Sequence, residues 1–272
     1  MDLLYRHIAA CNNAELPGGR LPFLVAGRQV GWVDPALLPA MRRAGAQADG
    51  GGVWLEPGQV QPAARALADA GHFPWRDEAF DVRAAPDGPV LAQIDRGALP
   101  VFGIQAAGVH LNGLVKRQDG LWLWVARRAR DKLLDPGKLD HLVAGGVPSG
   151  MTPGQTLEKE AEEEAGLPAP LLQSARQVAV IDYAMARDEG LRRDRLHCYD
   201  VMLPDTFQPE PRDGEVEAFE LWPIQAVLDR VRDTDDFKFN VNLVLIDLFR
   251  RLGMIQDPGG DKNRSAVVTC IT

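Results

Sequence analysis

Five glutamates fall within seven residues near the middle of the chain, directly after a glycine-rich loop. They are Glu158, Glu160, Glu162, Glu163 and Glu164. On an α-helix each residue advances by about 100°, so Glu160, Glu163 and Glu164 share one face. Carboxylates crowded on one face repel one another, whereas a hard divalent cation such as Mg²⁺ prefers oxygen ligands and reverses that cost. The pattern therefore predicts a metal site that acts on phosphates.

Glycines on either side of the glutamates favour this interpretation over an acidic helix that binds no ligand, which is what most charge runs are. Gly145 and Gly146 precede the helix, and Gly166 stands where a C-terminal cap is expected. Because glycine lets the backbone approach a metal closely, the carbonyl of Gly145 is a further candidate ligand.

The segment from Gly145 to Leu167 resembles the signature of the Nudix hydrolases, Gly-x5-Glu-x7-Arg-Glu-U-x-Glu-Glu-x-Gly-U, where U is aliphatic. The strict matches are Gly145, Glu160, Glu163, Glu164, Gly166 and Leu167. Met151 stands where the first glutamate belongs, and Lys159 replaces the arginine. Lys159 can still pair with Glu163 one turn later, although without the bidentate fork of arginine. We expect Met151 to change how the loop is tied to the helix.

Further motifs are similar to the Nudix branch related to, and sometimes fused with, thiamine pyrophosphokinase. They include Arg127-Arg128-Ala-Arg-Asp-Lys132, Asp213-Gly-Glu215-Val-Glu217 and Phe237-Lys-x-Asn-x-Asn. Members of this branch carry an N-terminal extension, which the stretch from Phe23 to Pro35 resembles. The resemblance covers most of residues 1–256. It implies hydrolysis of thiamine diphosphate, particularly its oxidised, damaged analogues, to the monophosphate.

The resemblance and the carboxylate chemistry together imply Mg²⁺, or Mn²⁺ in its place, held by Glu160, Glu163 and Glu164 with help from Gly145. The candidate general bases are Glu163, acting through a polarised water, and the loop residue Glu215. Glu217 is a third candidate. A turn at Asp213-Gly214 that enters a strand with solvent-facing acids explains Glu215 and Glu217 equally well.

Two basic residues precede the glycine loop. Arg128 and Lys132 match positions in the resembling branch and are candidate substrate-binding residues, because charge-assisted donors suit a diphosphate. An ordinary basic surface cluster is the alternative. For His110, His141 and His197, which have no partner at a metal-ligand spacing, a structural role is predicted.

Composition indicates a cytoplasmic enzyme. The 272 residues carry a net charge of −8 and no basic stripe, which argues against a nucleic-acid partner. No stretch reaches the roughly 20 apolar residues of a membrane span. The cysteines at 11, 198 and 270 form no CxxC pair and are interpreted as reduced thiols. The expected partner is a small-molecule diphosphate, and a homodimer is left open.

Strand and helix patterns suggest two units: a small α+β N-terminal domain over residues 1–108 and a Nudix domain over 109–256. Residues 257–272 are predicted to be a flexible tail. The resemblance implies the α+β class for the whole chain, with the second unit an α/β/α sandwich around a mixed β-sheet. Paired strands are expected at 109–115 and 121–126, further strands at 178–184, 197–203 and 218–222, and a final helix at 243–252. No internal repeat is apparent.

Two other functions are consistent with the same residues. The fold changes its substrate by loop variation, so ADP-ribose or a nucleotide sugar is an alternative diphosphate. A sensor that binds a phosphorylated metabolite without cleaving it is the non-enzyme alternative. Met151 and Lys159 favour the sensor, whereas three mutually repelling glutamates favour the hydrolase.

Overall fold

The computed structural model of the chain describes residues 2–256, and its strands lie in three β-sheets within that range. A four-stranded and a two-stranded sheet come from residues 21–95, and a seven-stranded sheet comes from residues 105–223. Helices are interspersed with the strands throughout. The predicted α+β class is confirmed.

Residues 21–104, here called the N-terminal unit, pack around one hydrophobic core that includes Phe23 and Phe102 in edge-to-face contact. Its strands are β1 (Leu21–Val25), β2 (Arg28–Val33), β3 (Gln47–Asp49), β4 (Gly52–Leu55), β5 (Ala79–Val82) and β6 (Ala92–Asp95). Its helices are α2 (Leu38–Arg43), α3 (Val60–Asp69) and α4 (Leu99–Phe102). The four-stranded sheet has the order β2-β1-β4-β3, and β5 pairs only with β6 among the described strands.

A strand, a 3₁₀ turn and a helix follow one another three times in the N-terminal unit. The three turns are Pro35–Leu37, Pro57–Gln59 and Arg96–Ala98, and an acidic residue precedes each. The carboxylates of Asp34 and Asp95 accept hydrogen bonds from the backbone two residues later, which begins the turn. The recurrence is one of element order, and the expectation that the sequence contains no internal repeat stays a prediction.

The second part of the chain forms the seven-stranded sheet. Its strands are β7 (Gln105–Arg117), β8 (Gly120–Arg128), β9 (Leu139–Asp140), β10 (Val143–Gly146), β11 (Arg176–Arg187), β12 (Gly190–Leu203) and β13 (Val216–Pro223). The main order is β11-β12-β7-β8-β13, while β10 pairs with β7 and β9 pairs with β8. The β12–β7 pair is parallel and the other pairs are antiparallel. The sheet is mixed, as predicted.

Helices cover both faces of this sheet. One face packs against α5 (Pro153–Ala165) and α6 (Ala169–Leu172) through a core that contains Leu111 and Ala161. The other face packs against α7 (Ile224–Asp233), α8 (Val241–Arg251) and α1 (Asp2–Cys11). This arrangement confirms the predicted α/β/α sandwich.

The first helix packs with the second part of the chain. Leu4 of α1 lies in one core with Phe249 of α8, and Cys11 lies in another with Ile181 of β11. The His7 imidazole is hydrogen-bonded to the carbonyl of Val231 at 2.7 Å. The domain boundary near residue 108 stays a prediction, but α1, which it assigns to the first unit, stabilises the sandwich.

The paired strands predicted at 109–115 and 121–126 are confirmed and form a hairpin, with Arg117 opposite Gly120. The strands predicted at 178–184 and 197–203 belong to one long hairpin that runs from Arg176 to Leu203. Sequence patterns missed its polar middle because arginine and aspartate side chains pair there, as Arg195 does with Asp182 at 2.7 Å. Such pairing removes the apolar alternation that signals a strand.

Cys11 and Cys198 are buried free thiols, in agreement with their interpretation as reduced. Cys270 and the predicted tail at 257–272 lie outside the described residues. Among residues 2–256, the helices are too short or too polar to cross a membrane.

Candidate active site

Strand β10 and helix α5 bring Gly145 and Glu160 together. Gly145 pairs with Val109 of β7 in the antiparallel ladder, which sets the strand beside the helix. A Cβ atom added to Gly145 would lie 2.6 Å from Cγ of Glu160, so only glycine permits this approach. The predicted ligand role of the Gly145 carbonyl stays a prediction.

Both ends of α5 are capped by side-chain and backbone groups. At its start, the Thr152 hydroxyl accepts from the Gln155 amide at 3.3 Å, and the Gln155 side chain accepts from the Thr152 amide at 2.9 Å. This is a reciprocal capping box. At its end, Gly166 has φ 60° and its amide donates to the Glu162 carbonyl, as expected for a C-cap. These caps set the direction of the glutamate-bearing face.

Glu164 is the most buried of the three predicted metal ligands, with 6% of its surface exposed. Its Oε2 accepts a hydrogen bond from the amide of Ala144 in β10 at 2.9 Å. Burial raises the pKa of Glu164 well above its usual range; the Ala144 bond opposes this, and Asp140, Glu160 and Glu215 raise it further. The side chain is therefore held next to the glycine strand where burial disfavours its ionised form, and a nearby positive charge would stabilise that form.

Glu160 and Glu163 lie one helical turn apart and share a lysine. Burial raises the pKa of Glu160, while Lys159 at 3.3 Å lowers it and the charges of Glu163 and Glu215 raise it. Glu163 is half exposed and pairs with Nζ of Lys159 at 2.6 Å. The predicted i, i+4 partnership of Lys159 with Glu163 is present, and this pair raises the pKa of Lys159.

The loop before β13 brings a second set of carboxylates to the helix. One oxygen each from Glu164, Asp213 and Glu215 lie within 4.8 Å of one another. Glu215 was predicted for the site, whereas Asp213 was interpreted only as a turn residue. Sequence reasoning missed that Asp213 lies near Glu164, because Asp213 precedes a glycine and Asx-Gly turns are common in any loop. We call Glu160, Glu163, Glu164, Asp213 and Glu215 the carboxylate cluster.

The predicted basic residues take different places. Lys132 forms an ion pair with Glu215 and therefore borders the carboxylate cluster. Arg128 lies away from solvent: its guanidinium contacts Asp140 at 2.8 Å and the carbonyls of Leu134 and Asp135 at 2.9 and 3.1 Å. These contacts give Arg128 a structural task in holding the 134–140 loop, and its role in substrate binding stays a prediction.

Glu217, the third candidate base, is occupied by the backbone and side chain of Arg130 across the loop. Its Oε1 accepts from the Arg130 amide at 3.2 Å and lies 3.7 Å from the Arg130 guanidinium. Glu215, by contrast, places a carboxylate oxygen within 4.8 Å of oxygens of Glu164 and Asp213. Glu215 is therefore the better placed of the two candidates.

A separate buried group, the Asp140 cluster, also has ligand-type side chains close together. It consists of Asp140, Arg128, Lys238, His110 and His141. The two imidazoles face each other with 3.0 Å between their Nδ1 atoms. Burial lowers the pKa of His110 well below its usual range and that of His141 to about 4, so both rings are neutral near pH 7.

The Asp140 cluster does not suit a metal ion. Burial alone would raise the pKa of Asp140, but Lys238 at 3.7 Å and Arg128 at 2.8 Å hold it below its usual range. Two cations already compensate this carboxylate, so a third positive charge would be repelled. The predicted structural role of His110 and His141 fits this arrangement.

The carboxylate cluster has the opposite balance and fits a hard divalent cation. One carboxylate oxygen each from Glu164, Asp213 and Glu215 lie within 4.8 Å of one another. Lys159 pairs with Glu160 and Glu163, and Lys132 pairs with Glu215, whereas the partner described for the buried Glu164 is the Ala144 amide. Burying an uncompensated carboxylate such as Glu164 is costly unless a cation binds it. The donor set is one that Mg²⁺ or Mn²⁺ accepts.

A cavity of about 100 Å³ lies between the N-terminal unit and the large sheet, beside the Gly145 strand. Residues that line it include Phe80, Arg96, Gly145, Arg192, Lys238 and Asn240. Gly145 borders both the cavity and Glu160. The buried Oδ1 of Asn240 has no hydrogen-bond partner among the described residues. Basic side chains outnumber acidic ones in the described lining, where Asp194 is the acid.

Comparison with known proteins gives the following matches. A family model described as the NUDIX domain matches residues 108–241. Two Arabidopsis thaliana proteins, Nudix hydrolase 20, chloroplastic, and Nudix hydrolase 24, chloroplastic, are each 41% identical over 72% and 71% of this chain. The uncharacterized protein YJR142W of Saccharomyces cerevisiae is 30% identical over 72% of it.

The chain spans only part of the length of these relatives: 53% and 54% of the two plant proteins and 60% of the yeast protein. Among solved structures, DR0079 from Deinococcus radiodurans gives a TM-score of 0.48 at 24% identity, covering 64% of this chain and 98% of that one. The NUDIX domain of Shewanella oneidensis NrtR, complexed with ADP ribose, gives 0.44 at 15% identity, covering 56% and 90%.

Proposed function

Residues 108–241 form a Nudix domain, and from this premise we propose that the chain hydrolyses a diphosphate linkage with the help of Mg²⁺. The observation that carries the proposal is the carboxylate cluster. Glu164 is buried with a raised pKa and contacts the glycine strand, and one of its oxygens lies within 4.8 Å of an oxygen each of Asp213 and Glu215. A surface charge run with no ligand would not bury one of its members in this way.

In this proposal Mg²⁺ is held by Glu160 and Glu164, with Glu163, Asp213 and Glu215 at its edge. When bound, the ion would supply positive charge that polarises a water and neutralises the phosphate oxygens. The Gly145 strand and the capped helix hold the carboxylates in place before substrate arrives, so that little reorganisation is needed.

The reaction needs a water oxygen to bond to one phosphorus while the bond from that phosphorus to the bridging oxygen breaks. We assign the acceptance of the water proton to the carboxylate of Glu215, with Glu163 as the alternative. Both side chains are about half exposed and therefore reachable by water and substrate. Lys132 lies next to Glu215 and is positioned to contact a phosphate as well.

For the substrate we propose thiamine diphosphate or its oxidised analogues, which are cleaved to the monophosphate and inorganic phosphate. The support is the sequence resemblance of the motifs at 127–132, 213–217 and 237–242. The basic lining of the cavity beside Gly145 suits a neutral ring better than a cationic thiazolium. Oxidised thiamine forms whose ring has lost its positive charge are therefore expected to be preferred over thiamine diphosphate.

The residues that line the same cavity support a second candidate function, that of an ADP-ribose or nucleotide-sugar pyrophosphatase. Arg96, Arg192 and Lys238 favour neutral or anionic groups such as a nucleoside or a sugar phosphate. The unpartnered Oδ1 of Asn240 would accept from an amino group or a sugar hydroxyl. Relative rates on these substrates decide between the two candidates.

The test is phosphate release from a panel of diphosphates with Mg²⁺, comparing the unmodified chain with Glu163→Gln. The panel contains thiamine diphosphate, an oxidised thiamine diphosphate, ADP-ribose and a nucleotide sugar, with a phosphatase step where products release no free phosphate. Glu163 borders the proposed metal and is the alternative proton acceptor, so its loss is expected to slow turnover by about 100-fold or more. The matched control is Glu158→Gln, an exposed glutamate of the same helix outside the cluster.

The outcomes separate the candidates. Turnover of thiamine forms that is lost in Glu163→Gln and kept in Glu158→Gln supports the proposal. Turnover of ADP-ribose or a nucleotide sugar alone keeps the hydrolase and rejects the thiamine substrate. Binding of a diphosphate with no turnover of any member would reject the enzyme in favour of the sensor.

The remaining expectations are carried as proposals. A cytoplasmic location and the absence of a nucleic-acid partner rest on composition, with the net charge of −8 as their support. A homodimer is compatible with the chain.

A further inference from the structure

The loop between β10 and α5 is fastened to the N-terminal unit at Ser149. The Ser149 hydroxyl donates to Oδ1 of Asp81 at 2.6 Å and accepts from Nε2 of Gln93 at 2.5 Å. The Ser149 amide donates to the carbonyl of Ala79 at 2.7 Å. Asp81 and Gln93 are directly opposite each other in the β5–β6 pair. One serine of the Nudix domain is therefore held by both strands of this small sheet.

Contacts at the start of the loop strengthen the attachment. Gly146 lies against the ring of Phe80, since a Cβ atom added to it would be 2.7 Å from Cζ of Phe80. The amide of Val147 donates to the carbonyl of Ala107 at 2.9 Å. The loop from Gly146 to Ser149 thus contacts Ala79 and Phe80 of the N-terminal unit and, through Val147, strand β7 of the large sheet, directly after the Gly145 that touches Glu160.

Inside the loop, the glutamate that the Nudix signature contains is missing, and with it a side chain that could connect the loop to the helix. Met151 stands at the position of the first motif glutamate and has no charge or hydrogen-bonding side chain to offer. It lines a cavity of about 350 Å³ that Asp81 and Arg195 also border, on the side of the N-terminal unit. The capping box at Thr152 fixes the first turn of α5 but not the four residues before it.

We infer that the Asp81–Ser149–Gln93 hydrogen bonds position the Gly145 strand and the glutamate helix for metal binding, in place of the missing motif carboxylate. Asp81 and Ser149 are then positioning residues, and the N-terminal unit is a working part of the metal site. Asp81 suits this task because it is largely buried and charged, and charged acceptors make the stronger hydrogen bonds. The inference rests on the proposed function for its catalytic consequence.

The experiment compares Ser149→Thr with Ser149→Val in the full chain. The two side chains have the same shape, and only threonine keeps a hydroxyl for Asp81 and Gln93. Mn²⁺ affinity is measured without substrate by electron paramagnetic resonance titration. Hydrogen exchange is followed at the amides of Val147, Ser149, Gly150 and Met151. Both readouts are independent of turnover, so they stand even if every diphosphate in the panel is left uncleaved.

Ser149→Val is expected to weaken Mn²⁺ binding about 10-fold and to speed exchange in the loop, while Ser149→Thr stays close to the unmodified chain. If a substrate is turned over, kcat falls in Ser149→Val with little change in KM, because the metal site and not the substrate pocket is displaced. Ser149→Ala and Asp81→Asn provide second variants, and Ser174→Ala, at an exposed serine, is the control. Equal Mn²⁺ affinity and equal loop exchange in Ser149→Thr and Ser149→Val would overturn the inference.

Discussion

Glu164 and Asp140 are both buried carboxylates of the Nudix domain, with 6% and 5% of their surfaces exposed, yet their surroundings are opposite. Arg128 and Lys238 compensate Asp140 and lower its pKa. Glu164 has one backbone amide as partner and other carboxylates as neighbours, and its pKa is raised. Similar burial thus accompanies a compensated carboxylate at Asp140 and an uncompensated carboxylate, repelled by its neighbours, at Glu164.

The difference indicates which of the two buried carboxylates has a structural role and which has a proposed functional role. A buried charge with protein counterions holds the surrounding segments together: Arg128 also donates to the carbonyls of Leu134 and Asp135, and Lys238 lies beside the same carboxylate. A buried charge without them lowers stability unless a diffusible cation arrives, and such perturbed groups mark functional sites. On this reasoning the carboxylate cluster is our proposed reactive centre, and we assign a structural role to the Asp140 cluster, despite its two histidines.

The largest effect is expected from Glu164→Gln. Loss of a buried ligand for the cation removes several kcal/mol of transition-state stabilisation, so turnover should fall by roughly 1000-fold. Glutamine keeps the acceptor for the Ala144 amide, and the metal-free variant should melt at a temperature equal to or above that of the unmodified chain near pH 8. Activity assays and thermal unfolding in EDTA check both. A large drop in metal-free stability would show that Glu164 is structural, like Asp140.

Asp140→Asn is expected to have the opposite effect on stability, which it should lower. Removing the charge leaves Arg128 and Lys238 buried without their counterion, which costs about 3 kcal/mol in the free energy of unfolding. For a chain of this size that corresponds to a melting temperature lower by on the order of 8 °C. Chemical denaturation measures it, with Asp235→Asn, at an exposed aspartate, as the control. Unchanged stability would remove the contrast between the two clusters.

Opposite pH dependences are the third expectation. The depressed pKa of His141, about 4, means that the folded state resists protonation. The stability that the neutral ring contributes is lost as pH falls below about 6.5. This loss in the free energy of unfolding amounts to about 2 kcal/mol by pH 5. His141→Asn should flatten this acid limb, whereas His72→Asn, at an exposed histidine, should not.

The raised pKa of Glu164 has the other sign: the metal-free protein loses stability as pH rises above the usual carboxyl range. Mg²⁺ binds the ionised form, so it should raise the melting temperature more at pH 8.5 than at pH 6. Thermal unfolding with and without Mg²⁺ at the two pH values tests this. An equal Mg²⁺ effect at both would argue that Glu164 does not ligate the ion.

The smallest effect on stability is expected from Lys159→Met. Its pair with Glu163 is about half exposed, and exposed pairs contribute no more than about 1 kcal/mol. The melting temperature should therefore change little, in contrast to the loss of the buried Arg128–Asp140 pair. A destabilisation as large as that of Asp140→Asn would mean that Lys159 and Glu163 form a structural pair.

Much of the candidate site could be predicted from local sequence patterns. Helical periodicity placed Glu160, Glu163 and Glu164 on one face, and Gly166 was found at the C-terminal end of the helix, because side-chain direction and capping follow from neighbours along the chain. The hairpin at residues 117–120 was predicted from local pattern too, whereas the mixed sheet was implied by the family resemblance. Spacing also singled out Met151 as a departure whose consequence lies in the loop.

The amino-acid sequence by itself determined which elements form and which residues crowd on the glutamate face. Only the tertiary structure decided that Asp213 joins Glu164, that Arg128 turns inward to Asp140, that α1 packs on α8, and that Ser149 is held by Asp81. Each of the last three contacts joins residues 12 or more positions apart. Such pairings depend on how sheets and helices stack, and burial, not residue type, then sets whether a carboxylate is compensated or left for a metal ion.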